Sequence, residues 1–195
     1  MSTNPYDSEA YVRANRFDPT HLAKVTRLLD PKAGAKVLEV GCGRGYLTKA
    51  MIEELDLDVI GTDVNPNAEG EAVSDRVRAM SAEDLDFPDD HFDHIVTVHA
   101  IEHIPPIEMA FAEMTRVLKP GGTLLAIYPA EPIQGLFAIP TSIILHGTPF
   151  KAREVHCHKL TPSKVRAIAT PFGLTETHHE FNLLRSPQFV SVFQK

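Results

Sequence analysis

Three glycines at alternate positions, Gly41, Gly43 and Gly45, follow the short apolar run Lys36-Val-Leu-Glu-Val40. Without Cβ atoms, the backbone there can turn tightly and come close to a ligand. Eighteen residues after Gly45, at the end of a second apolar run, stands Asp63. A strand-end carboxylate can accept hydrogen bonds from both hydroxyls of a ribose. Loop and acid together read as a nucleoside site. Taken singly, the glycines could form a plain tight turn, and Asp63 could be a cap or turn residue.

The kind of nucleoside is narrowed by what else is present. A dinucleotide fingerprint, G-x-G-x-x-G, requires glycine at position 46, where this chain has Tyr46. No lysine followed by serine or threonine completes a phosphate-binding loop. Glu39 lies two residues ahead of the first glycine. A carboxylate there suits an ammonium group and repels a pyrophosphate. An adenosine bearing an amino-acid tail therefore fits better than a dinucleotide.

These residues need strands and helices to hold them. Asp18-Pro19 is a helix start signal, and Leu22, Val25, Leu28 and Leu29 share one face of the helix that follows. A looser amphipathic pattern, Ser8 to Arg16, precedes it. Short apolar runs at 36–40, 58–62, 76–79, 92–98 and 123–128 alternate with helical patterns at 47–55, 67–74 and 106–118. Lys119-Pro-Gly-Gly122 reads as a turn. A helix from Thr161 to Thr170 and strands at 174–181 and 188–193 complete the chain. This alternation predicts an α/β fold: a Rossmann-like three-layer sandwich with ligands beyond the carboxyl ends of the strands. All 195 residues fit one domain: helices at 1–35, a core at 36–128, a long connection at 129–160 and a final helix and strand pair at 161–195.

With those elements placed, the chain resembles the class I S-adenosylmethionine-dependent methyltransferases, of the small-molecule type. The resemblance rests on Val37-Leu-Glu-Val-Gly-Cys-Gly-Arg-Gly45, Val59-Ile-Gly-Thr-Asp63, the loop Ser81 to Asp93, the stretch Phe92 to His103, and Arg116-Val-Leu-Lys-Pro-Gly-Gly-Thr-Leu124. It covers nearly half the chain. It implies a mostly parallel seven-stranded sheet with one antiparallel strand near the C-terminus, S-adenosylmethionine as cofactor and S-adenosylhomocysteine as product. Residue by residue, it implies that Glu39 holds the methionine ammonium. Gly41, Cys42, Gly43 and Gly45 supply backbone along the methionine moiety. Asp63 takes the ribose, Val64 packs on the adenine, Ala82 and Glu83 line the adenine edge, and His99 borders the methyl end. Where many relatives have an acid, this chain has Ser81.

Transfer from a sulfonium needs alignment and exclusion of water more than it needs acid or base. If the acceptor must lose a proton, His103 is the first candidate base, with bracing by Glu102-His103 as the alternative. The connection 129–160 is far longer than usual and is expected to form an acceptor-side lid. Its apolar residues could be core, line an acceptor pocket, or touch a membrane surface. His156-Cys157-His158 lacks a second ligand pair, so no metal site is expected.

Composition sets outer bounds. The chain is 43% hydrophobic and 23% charged, with a net charge of −7, which does not favour nucleic-acid binding. Two cysteines and a polar N-terminus predict a cytoplasmic protein without disulfides or signal peptide. Residues 1–145 hold 12 basic and 23 acidic residues, whereas 146–195 hold 7 and 3, with five of the ten histidines. That basic end would suit an acceptor carrying a carboxylate or phosphate. Oligomeric state is not legible. Two rival readings are a non-catalytic S-adenosylmethionine sensor or partner subunit, and a nicotinamide oxidoreductase, which Tyr46 disfavours.

Overall fold

A computed structural model describes residues 17–130, 143, 157–183 and 187–195. The expected helix at 8–16 and most of the expected lid lie outside the described residues. Helix α1, Pro19–Leu29, is capped by Asp18, whose side chain accepts from the Thr20 N–H. Strand β1 (Lys36–Val40) leads through the glycine loop into α2 (Tyr46–Leu55). Then come β2 (Asp58–Asp63), β3 (Val77–Ala79), β4 (Phe92–Val98), α3 (Ile107–Val117) and β5 (Leu118–Pro129). Helix α4 (Pro162–Ala169), β6 (Thr175–Asn182) and β7 (Gln188–Gln194) end the chain.

The seven strands lie in the order β3-β2-β1-β4-β5-β7-β6. β7 is antiparallel to both of its neighbours, and the other pairs are parallel. Alternation along the central strands sends successive side chains to opposite faces. Leu38, Ile95 and Leu124 meet Phe111, Met114 and Val165 on the α3–α4 side. Val37, Val96 and Leu125 meet Val25 and Met51 on the α1–α2 side. Both faces of β1 and β4 are thus covered, which is why those strands read as nearly continuous apolar runs.

Two expected elements differ. Residues 67–74 form turns rather than a helix. The Asn65 N–H donates to Asp63 Oδ1 and the Asn67 N–H to Asn65 Oδ1, local side-chain bonds that hold this stretch in turns. Lys119–Gly122 lies within β5 rather than ahead of it. The pairing skips from Phe92↔Leu118 to His94↔Thr123, so the extra residues bulge out of the ladder. Among the described residues, no helix is long and apolar enough to cross a membrane.

Candidate functional site

The parallel order puts the carboxyl ends of β1, β2 and β4 side by side, and the chemistry-bearing residues gather there. The glycine loop is fastened from below: the Gly41 and Cys42 N–H groups both donate to the Thr62 carbonyl, at 2.8 and 3.0 Å. Gly41 has φ of +77°, and a Cβ there would overlap Ala100. Glycine at 41 is what lets the end of β4 close against the loop.

Asp63 ties the loop to β2. Its Oδ2 accepts from the Gly43 N–H at 2.8 Å and its Oδ1 from the Asn65 N–H at 2.9 Å. A carboxylate oxygen can accept more than one hydrogen bond. Val64, next along, is 60% exposed, an apolar side chain standing open beside the acid.

Glu39 is buried, only 4% exposed. The Thr48 hydroxyl, from α2, donates to its Oε2 at 2.5 Å. Burial raises its pKa to about 7, against the Thr48 bonds and with help from the nearby Asp63 charge. Gly61 makes this arrangement possible, since a Cβ there would lie 2.5 Å from Thr48 Oγ1 and 2.8 Å from Cys42 Sγ. Cys42 is buried too, and burial with Glu39 and Asp63 nearby holds its thiol well above the ordinary range. It is an inert packing group.

Ala82 is buried and Glu83 half-buried, on the loop before β4. That loop is clamped by α3. The Arg116 guanidinium donates to the Leu85 and Phe87 carbonyls, each at 2.8 Å, and to Glu113. Glu113 in turn accepts from the Leu85 N–H at 3.0 Å.

At the end of β4 the chain turns sharply. His99 has φ of +50°, a left-handed conformation for a non-glycine residue, and its N–H donates to the Ile127 carbonyl. Such strain is concentrated at functional sites. A 3-10 turn, Ile101–His103, follows. Glu102 on it is 1% exposed, with His99 Nδ1 at 3.6 Å and His103 Nε2 at 3.8 Å from its Oε1. Burial would raise the Glu102 pKa, but the nearness of His99 and His103 outweighs it and lowers the pKa, although neither carboxylate oxygen has a hydrogen-bond partner among the described residues. The same balance runs the other way at His99. Burial disfavours its charge, yet the nearby Glu102 carboxylate, with the Gln188 bond, raises its pKa overall. The His103 side chain is 16% exposed and sits against Glu102, better placed to brace that carboxylate than to reach outward.

The turn is braced from below. The Cys157 thiol and His158 N–H donate to the Glu102 carbonyl, and His158 Nε2 bonds the Ile104 carbonyl at 2.8 Å. Among the described residues no cluster of three or more His, Cys, Asp or Glu could hold a metal. His156 lies outside them.

The structure thus brings Glu39, Gly41, Cys42, Gly43, Gly45, Asp63, Val64, Ala82, Glu83, His99 and His103 to the carboxyl edge of the sheet or the loops leaving it. Thr48 and Gly61 belong to the site as well. Their signals, a threonine one turn into α2 and a glycine inside β2, were legible but mute without the packing.

Comparison with known proteins finds related sequences and folds. Residues 38–126 match a family model described as a methyltransferase domain. A methyltransferase of Streptomyces halstedii, GfsG, is 37% identical over 49% of this chain and 38% of its own length. A sterol 24-C-methyltransferase of Gibberella zeae is 35% identical over 47% of this chain and 27% of its own. A ubiquinone biosynthesis O-methyltransferase of Mesorhizobium japonicum is 29% identical over 56% and 51%. The chain therefore spans about half or less of the length of these relatives. Among solved structures, an S-adenosylmethionine-dependent methyltransferase of Archaeoglobus fulgidus superposes with a TM-score of 0.70. It is 16% identical, over 89% of this chain and 92% of that one, a likeness of fold.

Proposed function

Because residues 38–126 form a methyltransferase domain of the class I S-adenosylmethionine-dependent family, we propose that this chain binds S-adenosylmethionine and passes its methyl group to a small-molecule acceptor. The observation that carries this reading is the buried carboxylate Glu39 behind a glycine loop that is itself hydrogen-bonded to Asp63. That donor set suits one ligand with an ammonium at one end and a ribose at the other. It suits a dinucleotide poorly, since a pyrophosphate would face Glu39.

In this reading Glu39 holds the ammonium, and the backbone of Gly41, Cys42, Gly43 and Gly45 runs along the amino-acid tail. Asp63 accepts from the ribose hydroxyls, the exposed Val64 packs on the adenine, and Ala82 and Glu83 border its edge. His99 stands at the methyl end, and His103 positions Glu102. When bound, the cofactor supplies a methyl group already activated by its sulfonium. The protein aligns the acceptor and excludes water. The basic end of the chain supports an acceptor carrying negative charge, which salt should screen. The relatives' names span a sterol carbon and an oxygen in ubiquinone biosynthesis, so the acceptor must be found by assay. Incubation with methyl-radiolabelled S-adenosylmethionine and fractionated small-molecule extracts should yield a labelled product. Intact S-adenosylhomocysteine binding with no labelled product from any extract would favour the sensor reading.

The raised pKa of Glu39 gives a second expected result. An ammonium placed beside it favours the carboxylate, so binding near pH 7 should release a proton. Calorimetry with S-adenosylhomocysteine in buffers of different ionisation enthalpy should give different apparent heats, and Glu39→Gln should remove the difference. Heats independent of buffer in the unaltered protein would contradict the Glu39 assignment. The sign for stability follows. The folded, ligand-free chain keeps a proton that the unfolded chain loses above about 4.5, so this group's contribution falls as pH rises from there through about 7.

A further inference from the structure

The residue that breaks the dinucleotide fingerprint has a use in the fold. Tyr46 is the first residue of α2, and its hydroxyl accepts from Arg44 Nη1 at 3.1 Å. The Arg44 guanidinium also stands over the Tyr46 ring, 5.4 Å from its centroid. From that position Arg44 Nε donates to the Glu71 carbonyl at 2.7 Å, 27 residues along the chain. The Arg44 carbonyl accepts from the Val73 N–H at 2.9 Å. Side chain and backbone of Arg44 thus both fasten the segment between β2 and β3 to the glycine loop. Gly45 allows the close approach, since a Cβ there would overlap Val77.

That segment has no helix to stiffen it. Its turns are closed by short-range bonds: Ala68 N–H to the Asn65 carbonyl, Glu71 N–H to the Asn67 carbonyl, and Ala72 N–H to the Glu69 carbonyl. Ala68, fully buried, packs in one cluster with Cys42 and Val77. The segment begins with Val64 and Asn65, and the Asn65 N–H donates to Asp63 Oδ1. Asp63 Oδ2 leads back to the loop by accepting from the Gly43 N–H. A closed circuit results. It runs from Gly43 to Asp63, along residues 64–73, and through Glu71 and Val73 back to Arg44, the neighbour of Gly43.

We propose that Arg44 is a positioning residue for the adenosine half of the cofactor, acting through Glu71 and Val73 to hold Asp63 and Val64 in their binding arrangement. The proposal rests on the methyltransferase reading above. The guanidinium is engaged by Glu71 and Tyr46, so it orders the segment and leaves the ligand to Asp63 and Val64. A stretch of turns opens locally at low free energy. A ligand that had to order it on binding would lose affinity, and a segment fastened beforehand avoids that loss. The amino-acid tail lies against Glu39 and the glycine backbone in the same reading, so its share of the affinity is independent of the segment. Lysine is a poor substitute, because a planar guanidinium serves a carbonyl, a hydroxyl and an aromatic face at once.

The test compares two probes on the full chain by calorimetry: S-adenosylhomocysteine, and methylthioadenosine, which has the adenosine and the thioether without the amino-acid tail. Arg44→Ala should weaken both about tenfold, leaving the ratio of the two affinities unchanged. Glu39→Gln should instead weaken S-adenosylhomocysteine and spare methylthioadenosine. Millimolar methylguanidinium should restore part of the affinity of Arg44→Ala for both probes and leave the unaltered protein as it was. In the unaltered protein, amide hydrogen exchange at Val73 should slow by about tenfold or more when S-adenosylhomocysteine binds. Should Arg44→Ala fail to fold, that exchange measurement decides. Affinities of Arg44→Ala within about threefold of the parent, a loss confined to S-adenosylhomocysteine, a loss that methylguanidinium leaves untouched, or a Val73 amide that exchanges no more slowly with ligand bound would overturn the proposal. Absence of S-adenosylhomocysteine binding to the unaltered protein would instead overturn the methyltransferase reading beneath it.

Discussion

Asp63→Ala should weaken S-adenosylhomocysteine binding by at least about a hundredfold, roughly 3 kcal/mol. Two effects add. The ribose hydroxyls lose a charged acceptor, and hydrogen bonds to charged groups are worth about 1.5–3 kcal/mol each. The Gly43 and Asn65 N–H groups also lose their acceptor, so the loop that carries the amino-acid tail is no longer tied to β2. Asp63→Asn keeps an acceptor but not the charge and should fall between. Because Asp63 is half-buried at the surface, the melting temperature should change far less than the affinity. Calorimetry and a thermal melt on the same samples check both. Affinity within about threefold of the parent protein would show that Asp63 does not contact the ligand.

Gly41→Ala should be costly in a different way. The residue sits at φ of +77°, and a Cβ there would overlap Ala100. Left-handed backbone costs an ordinary residue about 1–2 kcal/mol, and overpacking adds about 1–3 kcal/mol. The melting temperature should drop by roughly 5–15 °C. Gly34→Ala is the matched control. Its φ is +76°, but nothing lies within 4 Å of the added atom, so it should show the backbone cost alone. The overlap at 41 must also displace Ala100 and its neighbour His99, so binding should suffer in Gly41→Ala and not in Gly34→Ala. Equal losses in the two variants would mean that the contact between β4 and the loop is unimportant.

Much of this arrangement could be read from local pattern. β1, β2 and β4 are short apolar runs ended by glycine or a polar residue, and their parallel order follows from the helices between them. Glu39, Gly41, Gly43 and Asp63 lie within 25 residues of one another, so their spacing carries the loop-and-acid geometry. What escaped depends on contacts that sequence distance hides. His99 and Gln188 are 89 residues apart and meet only because β7 turns back along β5. His21 comes beside His99 through the packing of α1 on the sheet. The expected helix at 67–74 failed for a local reason, since asparagine side chains at 65 and 67 and a glycine at 70 favour turns. His103 drew attention by type and position, yet the fold places it against Glu102 and gives the more open position to His99. The charge split between the two ends of the chain is real, but two of the basic segment's five histidines do other work. His158 braces the turn after β4, and His178 pairs with Glu180 on the edge strand.

The central claim is that the carboxyl edge of β1, β2 and β4 binds an adenosine with an amino-acid tail. Isothermal titration of the purified chain with S-adenosylhomocysteine tests it most directly, run beside a titration with a nicotinamide dinucleotide. Saturable one-to-one binding of S-adenosylhomocysteine, with none of the dinucleotide, is the expected result. No heat with S-adenosylhomocysteine at millimolar concentration, or preference for the dinucleotide, would contradict it.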